Sequence, residues 1–294
     1  MNQNTKVAVL GLGAMGSRMA IRWLNAGYQV IVWNRTPDKT EALKAENAEV
    51  AATPKDAAHK ADVVVAMVRD NEASQQVWLD ERAGAIHGLN GGAIAIESST
   101  LSPDWIISLS GRLSETGASF VEAPVLGTRP QAEAGQLIYL AGGDQAVLEK
   151  IKPLLAATSR AIHRMGAVGS AAVMKLAVNA QYGVQVAIWA EMLALLKRLD
   201  IAPETAVEIL NTLPTTSPAM QMAGKLMAAK KYEPMFPIEL VEKDLSYGLK
   251  LAENVKLKLP VLEAVRSVYA QAKAHGYGDD NIVGVAQLFG PSNC

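Results

Sequence analysis

The sequence has a single cysteine and almost no net charge, and both features exclude classes of protein. Cys294 is the last residue, so no disulfide can form within the chain and a secreted disulfide scaffold is excluded. The formal net charge of −1 gives no support for a nucleic-acid or anionic membrane surface. Glycines interrupt the N-terminal apolar run, so it lacks the core of a signal peptide. We expect a cytoplasmic protein with no nucleic-acid or membrane partner.

The sequence also shows neither the residue spacing of a metal site nor a segment typical of a membrane span. The four histidines, at positions 59, 87, 163 and 275, show no metal-ligand spacing, so we expect no metal. The apolar segment 171–196 contains two charged residues and several amides, which favours a buried helix over a membrane span. With 50% hydrophobic and 19% charged residues, the 294-residue chain is typical of a globular protein with two domains.

A glycine-rich turn near the start predicts a dinucleotide site. The apolar run Lys6–Leu10 reads as a strand, a helical pattern follows the glycines, and Gln29–Trp33 reads as a second strand. Glycines with the spacing G-x-G-x-x-G between a strand and a helix allow a tight turn and a close approach of the backbone to a pyrophosphate. The predicted cofactor-binding turn consists of Gly11, Leu12, Gly13, Ala14, Met15 and Gly16.

The residues after the second strand indicate which cofactor is preferred. An acidic residue there would bind the 2′-hydroxyl of NAD, whereas this chain has Asn34, Arg35 and Thr36. Arginine can pair with a 2′-phosphate, and the two neighbours can add neutral hydrogen bonds. We therefore predict NADP, with NAD as the weaker cofactor. If Arg35 merely lies exposed at the strand end, the preference will be weak.

Four later segments complete a mostly parallel sheet. Uninterrupted apolar runs without polar alternation are typical of strands buried on both faces. Residues 61–68 form such a run, and residues 93–96, 119–121 and 136–141 are predicted to be further strands. Since ligands bind beyond the carboxyl ends of such strands, Met67, Val68 and Thr100 are predicted to line the cofactor crevice. Thr100 could instead belong to a helix start at Ser102-Pro103.

The second half has helical periodicity and no strand signal. The predicted architecture is an α/β fold with an N-terminal Rossmann domain (1–165), a long interdomain helix (about 169–197) and an all-α C-terminal domain (166–294). The interdomain helix is so apolar that we expect a partner subunit to cover it, which predicts a homodimer. A self-contained bundle is the alternative.

Lys175 is the most unusual residue of the interdomain helix. Burial lowers the pKa of a lysine, which allows it to exchange protons near neutral pH. Asn179 follows four residues later, on the same helical face. The residues alone leave open the alternative that Lys175 extends to solvent at the helix start.

Four segments, GLGAMGSRMA, EAPVLGTRPQAEAGQL, GSAAVMKLAVN and FPIELVEKDLSYGLKLA, resemble the β-hydroxyacid dehydrogenase family over essentially the whole chain. The second segment looks most like the branch of glyoxylate and succinic semialdehyde reductases. The resemblance implies an NADP-dependent enzyme that reduces a small aldehyde or keto acid to a hydroxy acid. It implies that Lys175 is the general acid, that Asn179 holds the substrate and that Lys243 reaches toward the cofactor and substrate.

The substrate loop departs from the family pattern. The resemblance assigns substrate binding to Leu126, Gly127 and Thr128, where the family usually has a serine and two glycines. Leu126 removes a hydroxyl donor that Thr128 could replace. The apolar change slightly favours imine reductases, which share this architecture, but these commonly place aspartate or tyrosine at the position of Lys175. A catalytically silent dinucleotide-binding module is a further alternative, although such members typically lose the lysine.

Overall fold

The structure is a computed structural model that describes residues 4–290; Cys294, for which the sequence suggests no role, lies outside this range. The chain divides into two compact units, Met1–Lys175 and Leu176–Cys294. The long helix α8 (Ser170–Arg198) begins in the first unit and continues into the second. The domain limits predicted from the sequence, 1–165 and 166–294, remain predictions.

The N-terminal unit alternates strands and helices. Its elements before α8 are β1 (Lys6–Leu10), α1 (Gly16–Asn25), β2 (Gln29–Trp33), α2 (Asp38–Ala45), β3 (Glu49–Val50), α3 (Pro54–His59), β4 (Val63–Ala66), α4 (Asn71–Leu79), the 3₁₀ turn Ala85–His87, β5 (Ile94–Glu97), α5 (Pro103–Ser114), β6 (Ser119–Glu122), β7 (Val125–Leu126), α6 (Arg129–Glu133), β8 (Leu137–Gly143), α7 (Gln145–Ala156) and β9 (Ser159–Gly166).

These strands form one sheet in the order β3-β2-β1-β4-β5-β6-β8-β7, with β9 paired to β8. The first six positions in that order are parallel neighbours, while β8 is antiparallel to β6 and β7. Parallel neighbours need crossover helices, and the alternation of strand and helix supplies them. The parallel-dominated Rossmann sheet predicted from the sequence is confirmed.

The sequence reading missed three strands. Strand β3 has two residues, and β7 pairs only Val125 with Tyr139 and Leu126 with Ile138. Strand β9 has eight residues, but it is partly exposed and carries Arg160, His163 and Arg164. Segment 122–130, whose glycine and proline content predicts a loop, contains β7 and the start of α6. Short or charged edge strands lack the apolar run by which buried strands are detected.

Successive residues of β1 pack on opposite faces of the sheet. Val7 and Val9 join a core that contains Trp23 of α1, whereas Ala8 and Leu10 join a core that contains Trp78 of α4. This alternation explains why the strand is apolar at every position.

The C-terminal unit is helical. After α8 it contains α9 (Pro203–Leu210), α10 (Pro218–Ala228), α11 (Ile238–Asn254), α12 (Pro260–Ala272), the π-helical turn Lys273–Tyr277 and the 3₁₀ helix Ile282–Phe289. Residues 176–290 contain no strand, so the all-helical prediction is confirmed for that range. Its core includes Tyr269, whose hydroxyl donates to the Gly183 carbonyl at 2.9 Å. Within residues 4–290, no helix combines the length and apolarity needed to cross a membrane.

The three glycines of the β1–α1 turn have different reasons to be glycine. Gly11 has a φ of +101°, and a Cβ there would lie 2.4 Å from the Met67 carbonyl oxygen. A Cβ at Gly16 would lie 2.0 Å from the Gly11 carbonyl oxygen. A Cβ at Gly13 would meet no atom within 4 Å. Protein packing therefore requires the outer two glycines, and the middle glycine faces open space.

We expect Gly16→Ala to lower the free energy of unfolding by about 1–3 kcal/mol, because the methyl group would force the turn apart. The matched variant Gly13→Ala should change it by less than about 0.5 kcal/mol, since the methyl group would meet no protein atom. Urea unfolding followed by circular dichroism measures both. Equal losses in the two variants would contradict the packing account.

Candidate active site

The side chain of Asn34 connects the glycine-rich turn to the end of β2. Its Oδ1 accepts the Leu12 N–H at 2.9 Å, and its Nδ2 donates to the Thr36 carbonyl at 2.9 Å. Arg35 and Thr36 are exposed at the same strand end. Among residues 4–290, no side chain forms an ion pair with the Arg35 guanidinium. Asn34 therefore shapes the turn, and Arg35 is available to an anionic ligand.

The predicted crevice residues Met67 and Val68 follow β4 directly and are partly buried. The Met67 N–H donates to the Leu10 carbonyl at 2.9 Å, which joins this segment to the glycine-rich turn. The Val68 N–H donates to Ser99 Oγ at 2.8 Å, one residue before Thr100. The structure thus brings the ends of β1, β4 and β5 together, as the parallel order predicts.

A buried glutamate at the end of β5 organises this segment. The Glu97 carboxylate accepts hydrogen bonds from Ser74 Oγ at 2.7 Å, Trp78 Nε1 at 2.9 Å and the Ser99 N–H at 3.0 Å. Burial raises the pKa of Glu97, and these donors oppose the rise because they stabilise the ionised form. The sequence reading assigned no role to Glu97, since the donors Ser74 and Trp78 are distant in sequence.

The predicted substrate loop has more regular structure than the sequence suggested. Leu126 ends β7, Gly127 is exposed with a φ of +119°, and Thr128 precedes helix α6. The Thr128 N–H and hydroxyl both lie 2.9 Å from Gln131 Oε1. This capping arrangement fixes the loop. The loop thereby presents Gly127 as exposed backbone.

Lys175 lies near the start of α8 and is 9% exposed. The first turn of this helix is held by Glu122, the last residue of β6. Glu122 Oε1 accepts the N–H groups of Gly169 at 2.6 Å and Ala171 at 2.9 Å, and Oε2 accepts that of Ala172 at 3.0 Å. Burial raises the pKa of Glu122, and the three N–H donors oppose the rise. The sequence reading gave Glu122 no role.

In the C-terminal unit, one carboxylate joins the two predicted functional side chains. Asp244 is 2% exposed, and its Oδ2 accepts from Asn179 Nδ2 at 2.6 Å. Its Oδ1 lies 3.0 Å from Lys243 Nζ, and the same ammonium lies 5.0 Å from the centre of the Tyr247 ring. Asn179 and Lys243 are therefore oriented by a shared partner. In the sequence, Asp244 is simply the residue after Lys243, and no pattern points to its role.

The part of the chain that the structure describes contains no group of three or more histidine, cysteine, aspartate or glutamate residues that could hold a metal ion. The chemistry of the polar groups is that of hydrogen-bond donors, carboxylates and two lysines. In the N-terminal unit, the backbone N–H groups of the glycine-rich turn can bind an anionic cofactor, and a buried lysine can exchange a proton with a substrate oxygen.

Comparisons with known proteins agree with the fold. The family described as the NAD binding domain of 6-phosphogluconate dehydrogenase matches residues 6–169. The family described as NAD-binding of NADP-dependent 3-hydroxyisobutyrate dehydrogenase matches residues 169–289. Together the two matches cover most of the chain.

Two relatives from Arabidopsis thaliana are named glyoxylate/succinic semialdehyde reductases. The chain is 34% identical to the chloroplastic reductase 2 over 96% of this chain and 78% of that protein. It is 32% identical to reductase 1 over 93% of this chain and 94% of that protein.

Solved structures show the same fold. The 3-hydroxyisobutyrate dehydrogenase of Salmonella typhimurium has a TM-score of 0.89 at 25% identity, over 97% of this chain and 100% of that chain. An imine reductase from Pseudomonas sp. has a TM-score of 0.61 at 20% identity, over 98% and 100% of the two chains, and shares the fold alone. The matches over the whole chain show that it belongs to the β-hydroxyacid dehydrogenase family and is an NAD(P)-dependent oxidoreductase.

Proposed function

We propose that the chain reduces a small aldehyde or keto acid of the glyoxylate or succinic semialdehyde type, with NADPH as the cofactor and Lys175 as the general acid. The main support for the proposal is the burial of Lys175. Only 9% of this residue is exposed, and it lies near a helix turn that is hydrogen-bonded to Glu122. The names of the two plant relatives support the substrate class. The reaction would yield the corresponding hydroxy acid.

The glycine-rich turn fits a dinucleotide. Gly13 is exposed, and a Cβ there would fill open space beside the N-terminus of α1, where backbone N–H groups favour an anion. When bound, the reduced nicotinamide supplies the hydride. The residues proposed to hold the cofactor are Gly11, Leu12, Gly13, Ala14, Met15, Gly16, Asn34, Arg35, Thr36, Met67, Val68, Thr100 and Lys243.

Lys175 would neutralise the charge that develops on the substrate oxygen. Hydride addition to a carbonyl carbon moves an electron pair onto the oxygen, and the Lys175 ammonium would donate a proton to it. A positioned general acid contributes about 10²- to 10⁴-fold to the rate. Asn179 would hold the substrate, with its amide oriented by the buried Asp244 carboxylate at 2.6 Å. The charge on Lys243 would stay paired with the same carboxylate.

The substrate loop would recognise the carboxylate of the substrate mainly through its backbone. Exposed Gly127 presents main-chain groups, while the Thr128 hydroxyl is already within 2.9 Å of Gln131 Oε1. Leu126 adds no donor. This apolar change slightly favours the imine reductase alternative, because an imine substrate needs no carboxylate-binding hydroxyl, but Lys175 counts against it.

We expect the purified protein to oxidise NADPH with glyoxylate or succinic semialdehyde and not with cyclic imines. Absorbance at the NADPH band over a panel of carbonyl and imine substrates measures this. Turnover confined to imines would replace the proposal with the imine reductase alternative. A cofactor-binding protein with no turnover on any substrate would indicate a silent module.

In the same assay, Lys175→Ala should lower kcat by about 10²- to 10⁴-fold because the developing alkoxide loses its proton donor. The dissociation constant of NADPH should stay within about twofold of wild type. The matched control is Lys197→Ala, an exposed lysine at the end of the same helix, which should keep wild-type kcat. Wild-type kcat in Lys175→Ala would contradict the proposed mechanism.

Arg35 is proposed to select NADPH by pairing with the 2′-phosphate. We expect Arg35→Asp to reduce the preference for NADPH, measured as kcat/KM with NADPH divided by kcat/KM with NADH, by about tenfold to a hundredfold. This range corresponds to the loss of one hydrogen bond between charged groups, which contributes about 1.5–3 kcal/mol. Arg112→Asp, at the exposed end of α5, controls for charge reversal alone. An unchanged ratio in Arg35→Asp would remove this residue from the phosphate site.

We also propose that the chain forms a homodimer through α8. Apolar side chains follow one side of the helix at intervals of four, three and four residues and end just past its last turn. They are Ile188 (46% exposed), Met192 (40%), Leu195 (49%) and Leu199 (63%). A continuous exposed apolar stripe of this kind favours burial against another surface.

A variant with Ile188→Lys and Leu195→Lys should elute with the mass of one chain, because two charges per chain would be buried at the interface. The wild-type protein should have twice that mass by light scattering coupled to size-exclusion chromatography. Ile21→Lys, on helix α1, is the control and should keep the wild-type mass. A wild-type monomer would show that the stripe is not a dimer interface.

A further inference from the structure

We infer that Glu122 is a positioning residue for the reaction, because its buried carboxylate fixes the first turn of α8 and thereby the place of Lys175. The inference rests on the proposed role of Lys175. It assigns a function to the glutamate that begins the substrate-loop segment, a residue to which the proposed function gives no role.

The carboxylate binds the helix start at three points. Oε1 accepts the Gly169 and Ala171 N–H groups at 2.6 and 2.9 Å, and Oε2 accepts the Ala172 N–H at 3.0 Å. The first N–H groups of a helix have no partner within it, and a negative charge at this end is also favoured by the helix dipole. Because both oxygens are used, the contacts restrain the rotation of the turn as well as its distance from β6.

Lys175 lies one turn beyond these donors. It is four residues after Ala171 and three after Ala172, so it stands on the same side of the helix as the restrained N–H groups. The two alanines are 0% and 3% exposed, which leaves this turn little room to shift. A displacement of about 1 Å in a catalytic group can cost about 10²-fold in rate. A small rotation of the turn would therefore displace Lys175 and lower the rate of the reaction.

The neighbouring strand fixes the carboxylate in turn. Gly142 of β8 pairs with Glu122 in the sheet, and a Cβ at Gly142 would lie 2.3 Å from Glu122 Oε1. The glycine thus provides the space in which the carboxylate lies. The position of Lys175 depends on a chain of contacts from β8 through β6 to the helix.

The test compares two carboxylates that cap helices. Glu122→Gln keeps the size of the side chain but replaces one acceptor oxygen with an N–H₂ group that cannot accept. Asp144→Asn is the control, since Asp144 accepts the Ala146 and Val147 N–H groups at the start of α7 at 2.8 and 3.1 Å. Thermal unfolding, NADPH affinity by fluorescence, KM and kcat are measured for both.

We expect Glu122→Gln to lower kcat by about tenfold to a hundredfold with NADPH affinity within about twofold of wild type. Asp144→Asn should leave kcat within about twofold of wild type, because the same loss of charge at the start of α7 does not involve α8. Wild-type kcat in folded Glu122→Gln would overturn the inference. If Glu122→Gln does not fold, Gly142→Ala displaces the carboxylate instead, and it should lower kcat; an unchanged kcat there would also overturn the inference.

A double variant separates positioning from general destabilisation. In the Lys175→Ala background, Glu122→Gln should cause no further loss of the residual turnover, because the residue through which it acts is gone. An equal loss in both backgrounds would overturn the inference and leave the proposed function intact. Full turnover in Lys175→Ala alone would overturn the proposed function and this inference with it.

Discussion

Two buried carboxylates at the carboxyl ends of adjacent parallel strands impose the main constraint on the N-terminal unit. Glu97 and Glu122 are register partners, and both are fully buried. A buried carboxylate must be surrounded by donors, or it costs several kcal/mol. Glu97 takes its donors from side chains of α4 and from the loop after β5, whereas Glu122 takes them from backbone N–H groups at the start of α8 and just before it. The two carboxyl groups therefore hold the ends of two strands to the segments that surround the site.

This constraint connects the fold to the chemistry. Parallel order brings the ends of β1, β4, β5 and β6 to one edge of the sheet, where ligands of such folds bind. The glycine-rich turn stands at that edge, and Glu122 fixes the beginning of the helix that carries Lys175. In the C-terminal unit, Asp244 has a comparable role because one buried carboxylate orients Asn179 and Lys243. In each unit, a buried acid holds the helix turn or the side chains that are proposed to act.

The sequence predicted those features that depend on local pattern. The apolar strands, the glycine spacing and the helical second half leave short-range signals, and the structure confirms the fold they indicate. Strand β9 was missed because its charged, partly exposed residues resemble a loop. The capping of α8 by Glu122 could not be predicted, since its donors lie 47–50 residues away and become neighbours only when β6 and α8 are in place. The link between Asn179 and Asp244 spans 65 residues and was hidden for the same reason.

The central claim is that the chain transfers a hydride from NADPH to a carbonyl carbon. The most direct measurement uses NADPH that carries deuterium at both positions of nicotinamide C4, with glyoxylate as substrate and mass spectrometry of the product. We expect hydroxy acid with one deuterium on the carbon that bears the new hydroxyl group, formed in proportion to the NADPH consumed. Oxidation of the cofactor without deuterated hydroxy acid would contradict it.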